Sequence, residues 1–190
     1  MKKKILYIAV IVICLAILAG STAAYYTNTD IARNVITSGG IEVQVVEQQM
    51  VNGTLQAYEA PKIPVMPTTK VSKIVSVQSQ EQPAWVRMTY TVTVYDADGK
   101  KMEISAEELK KVIVIEADGT GWTEKSGWWY YETAIGSGAV TEPLFDEVVF
   151  SGPEMDNKYQ QCTVVIDVIA EAVQKANNGE TVTEAIWPET

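Results

Sequence analysis

An all-β sandwich is the fold class that this sequence predicts, and three observations carry it. Apolar and polar residues alternate with period two at 41–45, 84–95 and 161–172, as half-buried strands require. Turn-forming clusters such as Asp96-Ala97-Asp98-Gly99, Asp118-Gly119 and Asn177-Asn178-Gly179 separate the periodic stretches. Helical signals are confined to one or two short segments, with no internal repeat and no coiled-coil heptad, and the tally reaches seven or eight strands.

The first strand places Ile41, Val43 and Val45 on one side and Glu42 and Gln44 on the other. Residues 47–70 contain Pro61, Pro64 and Pro67 and little periodicity. Proline lacks the ladder donor, so this stretch reads as a surface connection with room for a short edge strand. Residues 71–77 form a short strand centred on Ile74 and Val75. In the 84–95 strand, Val86, Met88, Tyr90, Val92 and Val94 make the core face. Trp85, Arg87, Thr89, Thr91 and Thr93 make the other. Asp96-Ala97-Asp98-Gly99 reads as a hairpin turn rather than a calcium loop, because the third ligand and the terminal glutamate of an EF-hand are missing.

Ser105-Ala106-Glu107-Glu108 fits a capping box in which Glu108 reaches back, opening a helix to about Lys111. A strand at 112–115 follows, closed by Asp118-Gly119. In Trp128-Trp129-Tyr130-Tyr131, Trp128 and Tyr130 share one strand face and Trp129 and Tyr131 the other. One pair belongs to the core; the other is exposed, covered by a loop or buried on a partner. Trp129 and Tyr131 are the candidates for an exposed aromatic surface able to stack on sugar rings. Residues 143–149 turn into a strand, and 153–158 form a polar loop. The 161–172 strand sets Cys162, Val164, Ile166, Val168 and Ala170 against Thr163, Val165, Asp167, Ile169 and Glu171, with partial cover expected at Val165 and Ile169. Residues 181–187 read as a last short helix or strand, ended by Pro188.

The amino terminus is organised differently. Lys2, Lys3 and Lys4 precede an apolar run at 5–19, and small residues occupy 20–24. That order is a secretory signal peptide, cut between Ala24 and Tyr25, where Thr22 and Ala24 supply the small side chains a signal peptidase requires. A retained membrane anchor is the alternative, since residues 20–24 lengthen the segment to 20 residues. The division expected is a signal at 1–24, an arm of the mature chain at 25–40 and a β-sandwich domain at 41–190. Cleavage leaves 166 of 190 residues, enough for one core.

Three of the 15 basic residues leave with the signal, so 12 remain against 24 acidic ones, a net charge of −12. Such a surface repels nucleic acid and anionic headgroups and suits the extracellular space or cell wall. Cys14 lies in the signal core, which leaves Cys162 alone in an apolar strand as a buried, inert thiol. The chain has no histidine, which excludes Ser-His-Asp and Cys-His catalysis and the His-Glu-x-x-His zinc site. No Cys-x-x-Cys pair or phosphate-binding loop occurs, so no cofactor, metal site or enzyme activity is expected. The acidic pairs Glu107-Glu108, Asp146-Glu147 and Asp96/Asp98 read as a solvated surface.

The junction Ala19-Gly20-Ser21-Thr22-Ala23-Ala24-Tyr25-Tyr26-Thr27-Asn28-Thr29-Asp30 and the step Asn34-Val35-Ile36-Thr37-Ser38-Gly39-Gly40 resemble the TasA/camelysin family of Gram-positive exported proteins. Pro83-Ala84-Trp85-Val86-Arg87, Trp128-Trp129-Tyr130-Tyr131, Pro143-Leu144-Phe145, Asp156-Asn157-Lys158-Tyr159-Gln160 and Ala170-Glu171-Ala172-Val173-Gln174 look like the family's later landmarks, in order. The resemblance implies a jelly roll, cleavage by an endoplasmic-reticulum-type signal peptidase, and a secreted protein of the biofilm matrix or cell surface, in some relatives a fibre subunit. The implied partners are that peptidase and further copies or related exported subunits. An arm containing Tyr25, Tyr26, Asn34, Val35, Ile36, Gly39 and Gly40 can add to a neighbour's sheet edge, and head-to-tail addition grows a filament. A glycan-binding surface module is the alternative. The metalloprotease label of camelysin-type relatives finds no support in a chain without histidine.

Overall fold

Why the alternating stretches become two sheets follows from their patterning, since each has one apolar face to bury. A computed structural model of the protein describes residues 36–37, 41–59, 67–80, 82–117, 119–159 and 161–187. The strands are β1 (Ile36–Thr37), β2 (Val43–Val51), β3 (Thr54–Ala57), β4 (Lys70–Ser79), β5 (Ala84–Tyr95), β6 (Ile113–Ile115), β7 (Trp122–Lys125), β8 (Trp128–Tyr131), β9 (Phe145–Phe150) and β10 (Thr163–Gln174). One helix, α1 (Ala106–Val112), precedes β6 among the described residues. The first sheet runs β1-β10-β5-β8-β7 and the second β3-β2-β4-β9-β6. All pairs are antiparallel except β1 with β10. The all-β sandwich expected from the alternation is what forms.

The core lies between the sheets. Val43 and Val45 of β2, Val75 and Val77 of β4, Val86 and Met88 of β5, and Val168 and Ala170 of β10 are all buried there. Each fully buried aliphatic side chain contributes about 1.5–3 kcal/mol. Tyr90 of the first sheet meets Phe145 of the second edge to face, with ring centroids 5.5 Å apart. The β5–β10 ladder is the longest, continuous from Thr163↔Tyr95 to Gln174↔Ala84.

Three local expectations change. The 47–70 connection begins later, because β2 continues to Val51 and turns through Asn52-Gly53 into β3. Asn52 and Gly53 have φ of 51° and 77°, the left-handed pair that a two-residue hairpin requires. Asn-Gly was therefore the legible signal, while alternation fades in a hairpin whose end is half-exposed on both faces. Ser126-Gly127, with φ of 55° and 81°, makes the same kind of turn between β7 and β8. Residues 181–187 are neither helix nor strand but successive turns. Among the described residues ten strands form where seven or eight were expected, the surplus lying in short pieces such as the two-residue β1 and four-residue β3.

The capping box forms by half. Ser105 Oγ accepts from the Glu108 amide at 3.2 Å, but the Glu108 carboxylate turns away to accept from Tyr159 Oη at 2.7 Å and from Lys158 Nζ. Glu108 thus ties α1 to the short 3-10 turn at Asn157–Tyr159. Hydrogen bonds from Lys158 and Tyr159 hold its carboxyl below the ordinary 4.5. A depressed folded value means that the tie is complete above pH 4.5 and is lost as the pH falls through the lower, folded value. The protection factors of the α1 amides, measured against their intrinsic exchange rates, should fall selectively in acid. The Glu108→Gln variant should show lower protection already at neutral pH and no further fall over that window.

Candidate assembly surface

Three of the separate sequence landmarks become neighbours in the first sheet. Arg87 of β5 lies opposite Glu171 of β10 on one side and Tyr130 of β8 on the other. Ile36 of β1 pairs with that same Glu171 from beyond. Residues 84 positions apart in sequence thus meet at one point on the outer face.

That point is a buried ion pair. Arg87 Nε donates to Glu171 Oε2 at 2.8 Å, and Arg87 Nη2 lies 2.6 Å from the same oxygen. Arg87 Nη1 donates to Tyr130 Oη at 3.3 Å. The guanidinium carbon sits 4.2 Å from the Trp128 ring centroid and 4.6 Å from that of Trp187. Both charged residues are only 6% exposed, so their desolvation is nearly complete. Planarity lets the guanidinium serve a carboxylate along its edge and aromatic rings against its faces at once.

The cover comes from the carboxyl-terminal turns. Val182 and Ala185 pack with Trp85, Tyr130 and Val173 into a second apolar cluster on the outer face. Trp187 meets Tyr130 at 5.7 Å and donates from Nε1 to the Val182 carbonyl at 3.1 Å. Trp85 Nε1 finds no acceptor among the described residues.

A second buried ion pair lies on the opposite side of the core. Lys73 Nζ is 2.7 Å from Glu47 Oε1 and 3.8 Å from the Tyr58 ring centroid. Its side chain is 3% exposed and that of Glu47 13%. Both residues continue apolar series, Lys73 with Val75 and Val77, Glu47 with Val43 and Val45. Opposite charges at consecutive positions of two apolar faces were the signal that could have found the pair.

The β10 edge is unevenly covered. β1 pairs with it only at Glu171 and Ala172, and no other described strand lies along its outer side at 163–170. On the inner face, Val168, Ala170 and Ala172 are at most 3% exposed, and Cys162 is buried at the far end. Val164 and Ile166, between them, are only half-buried. Among the described residues, the half-buried part of the inner face thus begins beyond β1.

Other sequence-level candidates fall as follows. Trp129 pairs with Met88, which puts it on the core face, and Tyr131 follows on the same side. Both are half-buried against the main core, with Tyr131 packed on Trp122 at 5.0 Å, so neither presents the open platform expected of them. Ile36 lies in β1, while Ala24, Tyr25, Tyr26, Asn34, Val35, Gly39 and Gly40 fall outside the described residues, as do the signal and its cut. Among the described residues no helix is long and apolar enough to cross a membrane. Burial pushes the Cys162 thiol up, so it is a poor nucleophile. Asp96 Oδ1 is committed to the amides of Asp98 and Lys100 in its turn. No three His, Cys, Asp or Glu side chains among the described residues converge on a point that could hold a metal. A shallow depression of about 510 Å³ between the ends of β5 and β10 is lined by Gln82, Pro83, Gln174, Lys175, Asn178 and Glu180, among others.

Glu171→Ala should cost about 3–5 kcal/mol in urea denaturation, because Arg87 is then buried without its counter-charge. The double change Arg87→Met with Glu171→Leu should recover most of that loss. Compared with known proteins, the chain matches no family model, no curated protein and no solved structure.

Proposed function

We propose that this chain is an exported structural subunit of the TasA/camelysin type, working in the extracellular matrix or at the cell surface rather than as an enzyme. Its jelly-roll-like sandwich assembles by donating the segment before β1 to the β10 edge of a neighbouring copy. The reading rests on one observation: among the described residues a two-residue β1 pairs with one end of a twelve-residue edge strand, and the inner-face side chains beside the rest are half-buried. An exposed strand edge with an unfilled inner face is what an added strand needs, backbone bonds giving affinity and side-chain pockets giving selectivity.

The β1 register specifies the donor. Ile36 against Glu171 and Thr37 against Ala172, continued backward, set residues 28–35 against 163–170. Thr29, Ile31, Arg33 and Val35 would then face inward, with Ile31 beside the half-buried Ile166. Two paired residues hold β1 to its own sheet through very few ladder bonds, each about 0.5–1.5 kcal/mol net, so a longer strand from a neighbour can displace it. Such addition is heterologous and does not close, which yields filaments. Before cleavage, the leader would hold the arm at the membrane, making the cut by signal peptidase the switch. The absence of histidine from the chain supports a structural role.

The test uses the mature chain from Tyr25 with Cys162→Ala. Mixing Ile31→Cys and Ile166→Cys copies should give disulfide-linked pairs between unlike chains, and deletion of 25–40 should abolish the open series of higher masses. Equal polymerisation by the shortened chain, or no cross-link between copies, would overturn the reading.

A further inference from the structure

The hairpin β2–β3 ends the second sheet, and no described strand pairs with the outer side of β3. All four residues of β3 are exposed. Leu55 is 48% exposed and pairs with Met50, 50% exposed, so an apolar pair stands open on one face of the hairpin. Residues 48–57 include no charged residue and no proline, in a chain of net charge −9. Isolated edges are normally blunted by charge, proline or brevity. β7 ends in Glu124 and Lys125, and β6 has three residues. β3 is short but carries neither charge nor proline.

We propose that β3 is a self-pairing edge, through which two copies join antiparallel about a twofold axis and extend the second sheet across the pair. The backbone phase fits. Val51 faces Thr54 across the two-residue turn, and the Tyr58 amide donates inward to the Glu47 carbonyl at 3.1 Å. Strand alternation therefore aims the amides and carbonyls of Leu55 and Ala57 outward. An antiparallel pair about a twofold axis normal to the sheet sets one residue against itself. Centred on Leu55, it exchanges two hydrogen bonds between the two Leu55 backbones and joins both Met50–Leu55 pairs into one apolar strip. Charge selects the orientation. Antiparallel pairing in that register carries Glu59, exposed just past the strand, beyond the uncharged Asn52-Gly53 turn of the second copy, whereas parallel pairing in register would set it against Glu59. Two acidic copies repel elsewhere, so an uncharged edge is where they can approach.

This contact does not depend on the donated arm and differs from it in kind: it is isologous and closes at two copies. The experiment uses the mature chain with Cys162→Ala and prolines at 31, 33, 36 and 37, which interrupt the ladder of the donated arm as well as that of β1. In sedimentation equilibrium it should reach twice the monomer mass as concentration rises. Leu55→Cys should be joined in high yield by a short thiol linker, while Thr54→Cys, off the axis and on the other face, should be at least tenfold poorer. Leu55→Lys and Ala57→Pro, both at exposed positions, should sediment as monomers with unchanged circular dichroism. Monomeric mass for the parent, the same mass for parent and Leu55→Lys, or equal linking of the two cysteine variants would overturn the proposal. An open series of masses in the proline background would do so as well.

Discussion

The contact between Arg87 and Glu171 is the constraint on which the first sheet depends. It lies near the end of a twelve-residue ladder, and every strand of that sheet except β7 pairs directly with one of its two residues. Buried charges tolerate little error, because a guanidinium left without its carboxylate keeps the full desolvation cost. A one-residue slip of β10 against β5 would turn Glu171 into the core and Ala170 outward. The pair therefore acts as a register pin, while the apolar faces supply the stability.

The same contact explains the carboxyl-terminal turns. The outer face of a sheet next to solvent is ordinarily polar, yet here it carries Trp85, Arg87, Tyr130 and Val173, all nearly inaccessible. Turns with no regular ladder provide the cover because the interaction is by side chain: Val182 and Ala185 fill, and Trp187 packs against the guanidinium. The protein thus has a main core between its sheets and a smaller one outside, joined through β5.

The borders of the two sheets differ in how they are finished, and this bears on association. β7 is guarded by charge and β6 by its shortness, whereas among the described residues β10 is paired on its outer side for two residues and β3 is uncharged throughout. The β10 edge opens onto half-buried valine and isoleucine, which favours a strand inserted from one side and so an unclosed series. The β3 edge is exposed and uncharged, which suits the closed pair proposed for it. In the proposed assembly, one acidic subunit would use the first edge for growth and the second for pairing.

Local pattern was enough to determine the strands themselves. The 84–95 segment forms as read, its inner face is the alternate apolar set, and Asp96-Gly99 and Ser105 act as turn and cap, because alternation, turn chemistry and capping are short-range properties. Pairing could not be read in that way. The sequence Trp128-Trp129-Tyr130-Tyr131 is aromatic on both faces, so alternation is silent, and only the register of Met88 against Trp129 decides which pair turns inward. The partner of Lys73 on β2 and the partner of Arg87 on β10 were equally out of reach, since each lies across a ladder from a distant part of the chain. Tertiary structure alone chose the neighbours, because a strand's own pattern fixes which face is buried but not which strand lies beside it.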